Sequence, residues 1–234
     1  MTRSILVVPP LIKYSAGPLL GPSLLQSAAR RAGHKCSLLD LNALFIRSRM
    51  SPMRTSNQGF VGDHDKPRGT NGEATLTDIE TTFLQDGIMP GLDFLDKSKG
   101  LRAIRYGFLT HGQVSSAASF LSSSPFGAWV RRSLVQADSA PPEITGISLL
   151  HAGQVIPAAC VSIIAKQIWP EVLVVWGGPH VTGLGDAVAA DVEKRSFAAD
   201  MFVVGHAEET FVDLLQRKKI SRAESVSRPG VLNG

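Results

Sequence analysis

Ile144-Thr145-Gly146-Ile147-Ser148-Leu149-Leu150 and, after residues 151–171, Val172-Leu173-Val174-Val175-Trp176-Gly177-Gly178-Pro179-His180 are the two stretches whose reading decides the fold. Each opens on a short aliphatic run without polar alternation, the pattern of a strand buried on both faces of a parallel sheet. Between them, Gln154 to Trp169 carries Val155, Ala158, Ala159, Ser162 and Ile163 at helical spacing. Pro157 falls in the first turn, where a missing N–H costs little, and Pro170 ends the helix. Strand, helix, strand in that order make a right-handed crossover unit.

The same grammar continues outward. Toward the N-terminus, Ile5–Val8 and Cys36–Leu39 read as strands around a helix over Pro22–Ala32, whose stripe is Leu24, Leu25, Ala28 and Ala29 and whose stop is Gly33. Toward the C-terminus, the strand Met201–Val204 precedes a helix over Glu208–Lys218 with Phe211, Val212, Leu214 and Leu215 on one face. The expected architecture is α/β: a doubly wound, Rossmann-like, five-stranded parallel sheet in the flavodoxin-like order, spanning residues 1–217. Between 43 and 142 the pattern fails, so a long irregular and helical insertion after the second strand is expected. Within it, Arg47 to Thr75 reads as loop, and Thr77–Leu84 and Phe126–Val135 read as helices. Residues 218–234 read as a polar tail with a turn at Pro229-Gly230.

Composition narrows the function classes. The 234 residues are 44% hydrophobic and 19% charged, enough apolar material for a core and too little charge for disorder throughout. The formal charge of +4 is mild, and the arginines at 30, 31, 47, 49 and 54 have no aromatics interleaved, so no nucleic-acid partner is expected. Two cysteines, Cys36 and Cys160, exclude a disulfide scaffold and a cysteine-held iron–sulfur cluster within this chain. The longest apolar stretch, Val155 to Ala165, is about half the roughly 20 residues of a membrane helix, and Pro9-Pro10 interrupts the signal-like start Met1–Val8. A cytoplasmic chain without a membrane partner is the expectation.

In an open parallel sheet, ligands lie beyond the carboxyl ends of the strands, near the switch in strand order. The loops there begin Pro9-Pro10-Leu11, Leu149-Leu150-His151, Gly177-Gly178-Pro179-His180-Val181 and Gly205-His206-Ala207-Glu208. Three of the six histidines fall on these edges. Paired glycines at a strand end make room for something other than a side chain. The bland alternative is a strand-to-helix turn, with His180 as a cap and Glu208-Glu209 stabilising a helix N-terminus through its dipole. Asp63-His64-Asp65 resembles a metal triplet but sits in the polar insertion, and Gly183-Leu184-Gly185 lacks the third glycine of a dinucleotide fingerprint.

Ser148-x-Leu150 followed, after residues 151–176, by Gly177-Gly178 resembles the second half of the cobalamin-binding signature. More broadly, Leu6-Val7-Val8-Pro9-Pro10, Gly21 through His34, Leu39-Asp40-Leu41-Asn42, Gly146-Ile147-Ser148 and Gly205 through Phe211 resemble the N-terminal cobalamin-binding domain of radical S-adenosylmethionine enzymes. The resemblance covers roughly residues 4–45 and 126–217 and implies cobalamin as cofactor. It implies that Ser148 and the two glycines line a slot for the corrinoid's nucleotide tail. It further implies apolar contact from Leu11, Leu149, Leu150 and Val181, with Pro10 beneath the ring. Hydrogen bonds would come from Ser148, Gln154, His180 and Glu208, polar walls from His151 and His206, and further cofactor contacts from Pro179 and Gly205.

Two departures qualify the resemblance. The first half of the signature, Asp-x-His-x-x-Gly, is missing, which argues against a histidine on cobalt. The three-cysteine motif of the radical core is also missing, so methyl transfer or rearrangement would need a cluster-bearing partner or a further segment. Two other readings stay open: a degenerate scaffold or interaction domain that keeps the fold and binds no corrinoid, and an enzyme using a nucleotide on the same edge.

Overall fold

The computed structural model describes residues 1–10, 20–50, 111–138, 140–184, 198–217 and 231–233. Five strands are parallel: β1 (Arg3–Val8), β2 (Lys35–Asp40), β3 (Ile144–Ser148), β4 (Leu173–Gly177) and β5 (Met201–Val203). They lie in the order β2-β1-β3-β4-β5, the expected arrangement, with the switch between β1 and β3. A sixth strand, β6 (Val231–Asn233), pairs antiparallel with β5. The sequence reading placed no strand in that tail.

Helix α1 (Leu20–Arg31) joins β1 to β2. It stops at Gly33, whose φ of +81° is the left-handed conformation the sequence predicts for a helix-ending glycine. His34 N–H donates back to the Ala29 carbonyl at 3.0 Å. Helix α2 (Leu41–Met50) follows β2 directly, its first turn closed by Ala43 N–H donating to Asp40 Oδ1 at 2.8 Å. Helices α3 (His111–Ser122) and α4 (Pro125–Ala137) precede β3. The expected helix at 126–135 is α4; Thr77–Leu84 and Asp63-His64-Asp65 lie outside the described residues. A short 3-10 turn (Ala152–Gln154) leads into α5 (Val155–Ile168), and α6 (Pro179–Leu184) and α7 (Glu208–Gln216) follow β4 and β5.

Alternation along the strands divides the core into two layers. Ile5, Val7, Ile147, Val174 and Trp176 face α3, α4 and α5, against Ala118, Leu121, Phe126, Leu134 and Ile164. Leu6, Ile144, Val175 and Val203 face the other way, against Ala29 of α1 and Phe211, Leu214 and Leu215 of α7. Small residues let α3 approach α5 closely: Ala117 and Ala118 on one, Ala158 and Ala159 on the other, are all buried. Ser162 completes that face because its hydroxyl has work there. It accepts the Trp176 indole N–H at 2.8 Å and donates to the Ala158 carbonyl at 3.0 Å. Cys36 and Cys160 are buried free thiols, as expected of core cysteines; desolvation pushes both above the ordinary thiol range. Among the described residues, no helix is long and apolar enough to cross a membrane.

One buried polar atom is left over. Thr145 Oγ1, on β3 and fully buried, has no hydrogen-bond partner among the described residues. Thr145→Val keeps the shape and removes an unpaired hydroxyl, so it should stabilise the fold by about 1 kcal/mol in a denaturant titration. A destabilised Thr145→Val protein would mean that the hydroxyl has a partner.

Candidate functional site

The site is built where β3 and β4 run out. Their register pairs Ser148 with Gly177, the last residues of the two strands. The ladder continues one step further, with Leu149 N–H donating to the Gly177 carbonyl at 2.8 Å. The β4 chain then turns over the β3 chain, and His180 N–H donates to the Leu149 carbonyl at 3.0 Å. Gly178 makes that turn possible in two ways. Its φ is +100°, and a Cβ there would lie 2.6 Å from the Leu149 carbonyl oxygen, 2.9 Å from the Leu149 nitrogen and 3.1 Å from Ser148 Oγ. No side chain fits against fixed backbone at those distances.

Beside this turn a cavity of about 570 Å³ opens on the α1/α7 side of the sheet. Its mouth is formed by Ser148, Leu150, Pro179, Gly205, His206 and Glu208. Its depth follows the sheet face downward, between α1 (Pro22, Leu25) and α7 (Phe211), to Leu6, Gly146, Val175 and Val203. At Gly146 the missing side chain makes room for Leu6. A Cβ on Gly146 would meet Leu6 Cδ2 at 2.7 Å and Phe211 Cε2 at 3.9 Å. At Gly177 a Cβ would meet only Val203, at 3.5 Å and beyond, so a small side chain fits and a longer one enters the cavity. The walls are apolar inside and polar at the rim, the usual make-up of a small-molecule site.

The cavity gathers Ser148, Leu150, Gly177, Gly178, Pro179, Gly205, His206 and Glu208 of the expected set. The remaining residues are placed differently. Leu149 and Val181 are buried in the opposite core layer. Gln154 is fully buried and committed to the protein: Nε2 donates to the Pro9 carbonyl at 2.6 Å, and Oε1 accepts from the Leu150 and His151 amides at 2.7 and 3.1 Å. It therefore ties the loop after β1 to the loop after β3 across the switch point. Pro10 is buried beside that anchor, and Leu11 lies outside the described residues. His151 is exposed and accepts the Gly153 amide at 3.3 Å through Nδ1. His180 is half-buried outside the cavity wall, and burial first, then the neighbouring His151, lowers its proton affinity below the ordinary histidine range.

Sequence reasoning missed the cavity's depth: Leu6, Pro22, Leu25, Val175, Val203 and Phe211. It also missed a brace at the mouth, where Gly205 N–H donates to Thr182 Oγ1 at 3.0 Å and links the loops after β4 and β5. Glu208 and Glu209 occupy the first turn of α7, which favours acidic groups. Among the described residues no three His, Cys, Asp or Glu side chains cluster as a metal site. A second cavity, of about 700 Å³, lies at the opposite, amino end of the strands. Two of its charged residues, Lys166 and Asp200, are already bound to each other and to the Val172 carbonyl and Val174 amide.

No family model matches the chain, and no curated protein matches it. Among solved structures, a radical S-adenosylmethionine methyltransferase, TsrM, from Kitasatospora setae, with cobalamin and a 4Fe-4S cluster bound, aligns with 92% of this chain at 12% identity and a TM-score of 0.42. The chain spans 24% of that structure's length.

The two positive-φ glycines at this edge separate backbone strain from steric exclusion. Gly205 has a φ of +86° with nothing within 4 Å of a Cβ, whereas Gly178 has both a positive φ and a wall. Gly205→Ala should cost about 1 kcal/mol of unfolding free energy, and Gly178→Ala about 2 kcal/mol or more. Equal costs would mean that the Leu149 backbone does not press on Gly178.

Proposed function

We propose that this chain is a corrinoid-binding module that takes the nucleotide tail of cobalamin into the cavity between the sheet and helices α1 and α7. The observation that carries the reading is a glycine-cleared cavity entered beside the Ser148 hydroxyl. Gly177 lines the cavity with only Val203 within 4 Å of a Cβ, and Gly178, which turns the chain over at the mouth, has no room for a side chain. Ser148 is half-buried at the mouth, and its hydroxyl has no hydrogen-bond partner among the described residues. Such a hydroxyl suits a ring nitrogen that burial would otherwise leave unpaired.

The chain's own residues divide the task. Leu6, Val175, Val203 and Phe211 offer apolar contact to an inserted base. His206 and Glu208 at the rim offer polar contact to the sugar, phosphate and amide groups of a corrinoid. Gln154 holds the β1 and β3 loops together as the platform on which a ring would rest. With no Asp-x-His-x-x-Gly in the chain, no histidine is assigned to cobalt. When bound, a corrinoid supplies a metal centre able to carry a methyl group. A radical S-adenosylmethionine reaction would additionally need three clustered cysteines, and this chain has two, Cys36 and Cys160, buried in opposite core layers. We assign such a step to a cluster-bearing partner protein or a further segment.

Titration with hydroxocobalamin at tens of micromolar should change its absorption spectrum and carry the pigment with the protein on gel filtration. Binding should also raise the unfolding free energy by mass action, about 2.7 kcal/mol at a hundredfold excess over Kd. Gly177→Leu should abolish both effects while the unliganded protein keeps its thermal midpoint within a few degrees, because the Cβ itself is tolerated. No pigment retention and no stabilisation would leave the scaffold reading in its place.

A further inference from the structure

The lining of the cavity's depth bears on which ligands it can take. Below Ser148 the described walls are Leu6, Gly146, Val175, Val203 and Phe211, all without a side-chain hydrogen-bonding group. Strand backbone donors and acceptors there are engaged in the sheet, with Gly146 and Val175 paired in the β3–β4 ladder. The orphan hydroxyl of Thr145 belongs to the residue between Ile144 and Gly146, so it projects to the other face and offers nothing here. Among the described lining residues, side-chain polar groups occur only at the rim, in Ser148, Thr182, His206 and Glu208.

We infer that the site discriminates by the lower base, accepting benzimidazole-type tails and rejecting purine-type tails; this rests on the corrinoid reading above. A benzimidazole joined to its ribose has one further ring nitrogen; once released from the cobalt it binds in free hydroxocobalamin, that nitrogen would be satisfied by the single hydroxyl of Ser148, and the rest of the edge is apolar. Adenine in the same place carries an amino group and further ring nitrogens. Buried between valines, a leucine and a phenylalanine, these would lose water and gain no partner. The two bicyclic rings share an outline; the two methyl groups on the benzimidazole of hydroxocobalamin add apolar contact, and the unpaired polar atoms of adenine add the penalty.

The test compares three corrinoids on the full chain by equilibrium binding: hydroxocobalamin, its counterpart with adenine as lower base, and cobinamide, which lacks the nucleotide tail. Hydroxocobalamin should bind at least about tenfold more tightly than the adenine form, and also more tightly than cobinamide. Equal affinity for the two tailed forms, both above cobinamide, would overturn the selectivity and leave the tail-binding cavity standing. Equal affinity for all three would overturn the selectivity and remove the tail from the cavity. Failure of all three to bind would take down the inference together with the reading it rests on.

Discussion

The site depends on one crossing of backbone over backbone. Where β4 leaves the sheet, the chain passes so close to Leu149 that position 178 has no space for a carbon substituent. Two hydrogen bonds clamp the crossing, one from the Leu149 amide to Gly177 and one from the His180 amide to Leu149. The clamp sets the ends of β3 and β4 level, puts Ser148 beside the two glycines, and starts α6, whose Pro179, Thr182 and Gly183 line the cavity. A side chain at 178 would push the two loops apart and close or distort the entrance. The cavity is thus a consequence of strand register plus a missing Cβ.

What lies below the entrance follows from sheet alternation. Leu6, Gly146, Ser148, Val175 and Gly177 share a face because they sit at alternate positions on neighbouring strands in register. Farther toward the amino ends the same face is filled by α1 and α7, through Ala29, Leu214 and Leu215. Toward the carboxyl ends the cavity begins, with Gly177 open to it, Leu6 lying over Gly146, and Phe211 as a side wall. A packed layer therefore grades into an open one along a single sheet face. The platform above it is fixed by the buried amide of Gln154, which spans the gap between β1 and β3, where strand order reverses.

The parallel strands were legible because burial on both faces leaves uninterrupted aliphatic runs, and their helices because Gly33, Pro157 and Pro170 punctuate them. The paired glycines and Ser148 were legible because a strand-end Gly-Gly has a distinct chemistry. Gln154 was not. Its position at the start of a helix on the ligand edge is the same whether its amide faces solvent, a ligand or the Pro9 carbonyl, and only the fold decides. The cavity's depth was hidden for a related reason. Leu6, Val175 and Phe211 have the residue types and spacing of ordinary core and are buried in it; what distinguishes them is that they also edge the cavity. Helix α3 lacked a signal because Ala117 and Ala118 pack by being small, within a Ser/Ala-rich run. Strand β6 is three residues long and borrows its identity from pairing with β5.

The most direct test of the account is methyl NMR of selectively labelled leucine and valine during addition of hydroxocobalamin. An aromatic base inserted in the cavity shifts nearby methyls through its ring current, and sheet alternation supplies an internal control. The account predicts large shifts for Leu6, Val175 and Val203, with Val7 and Val174 on the opposite layer little changed. Saturating pigment that leaves Leu6 and Val175 where they were would contradict it.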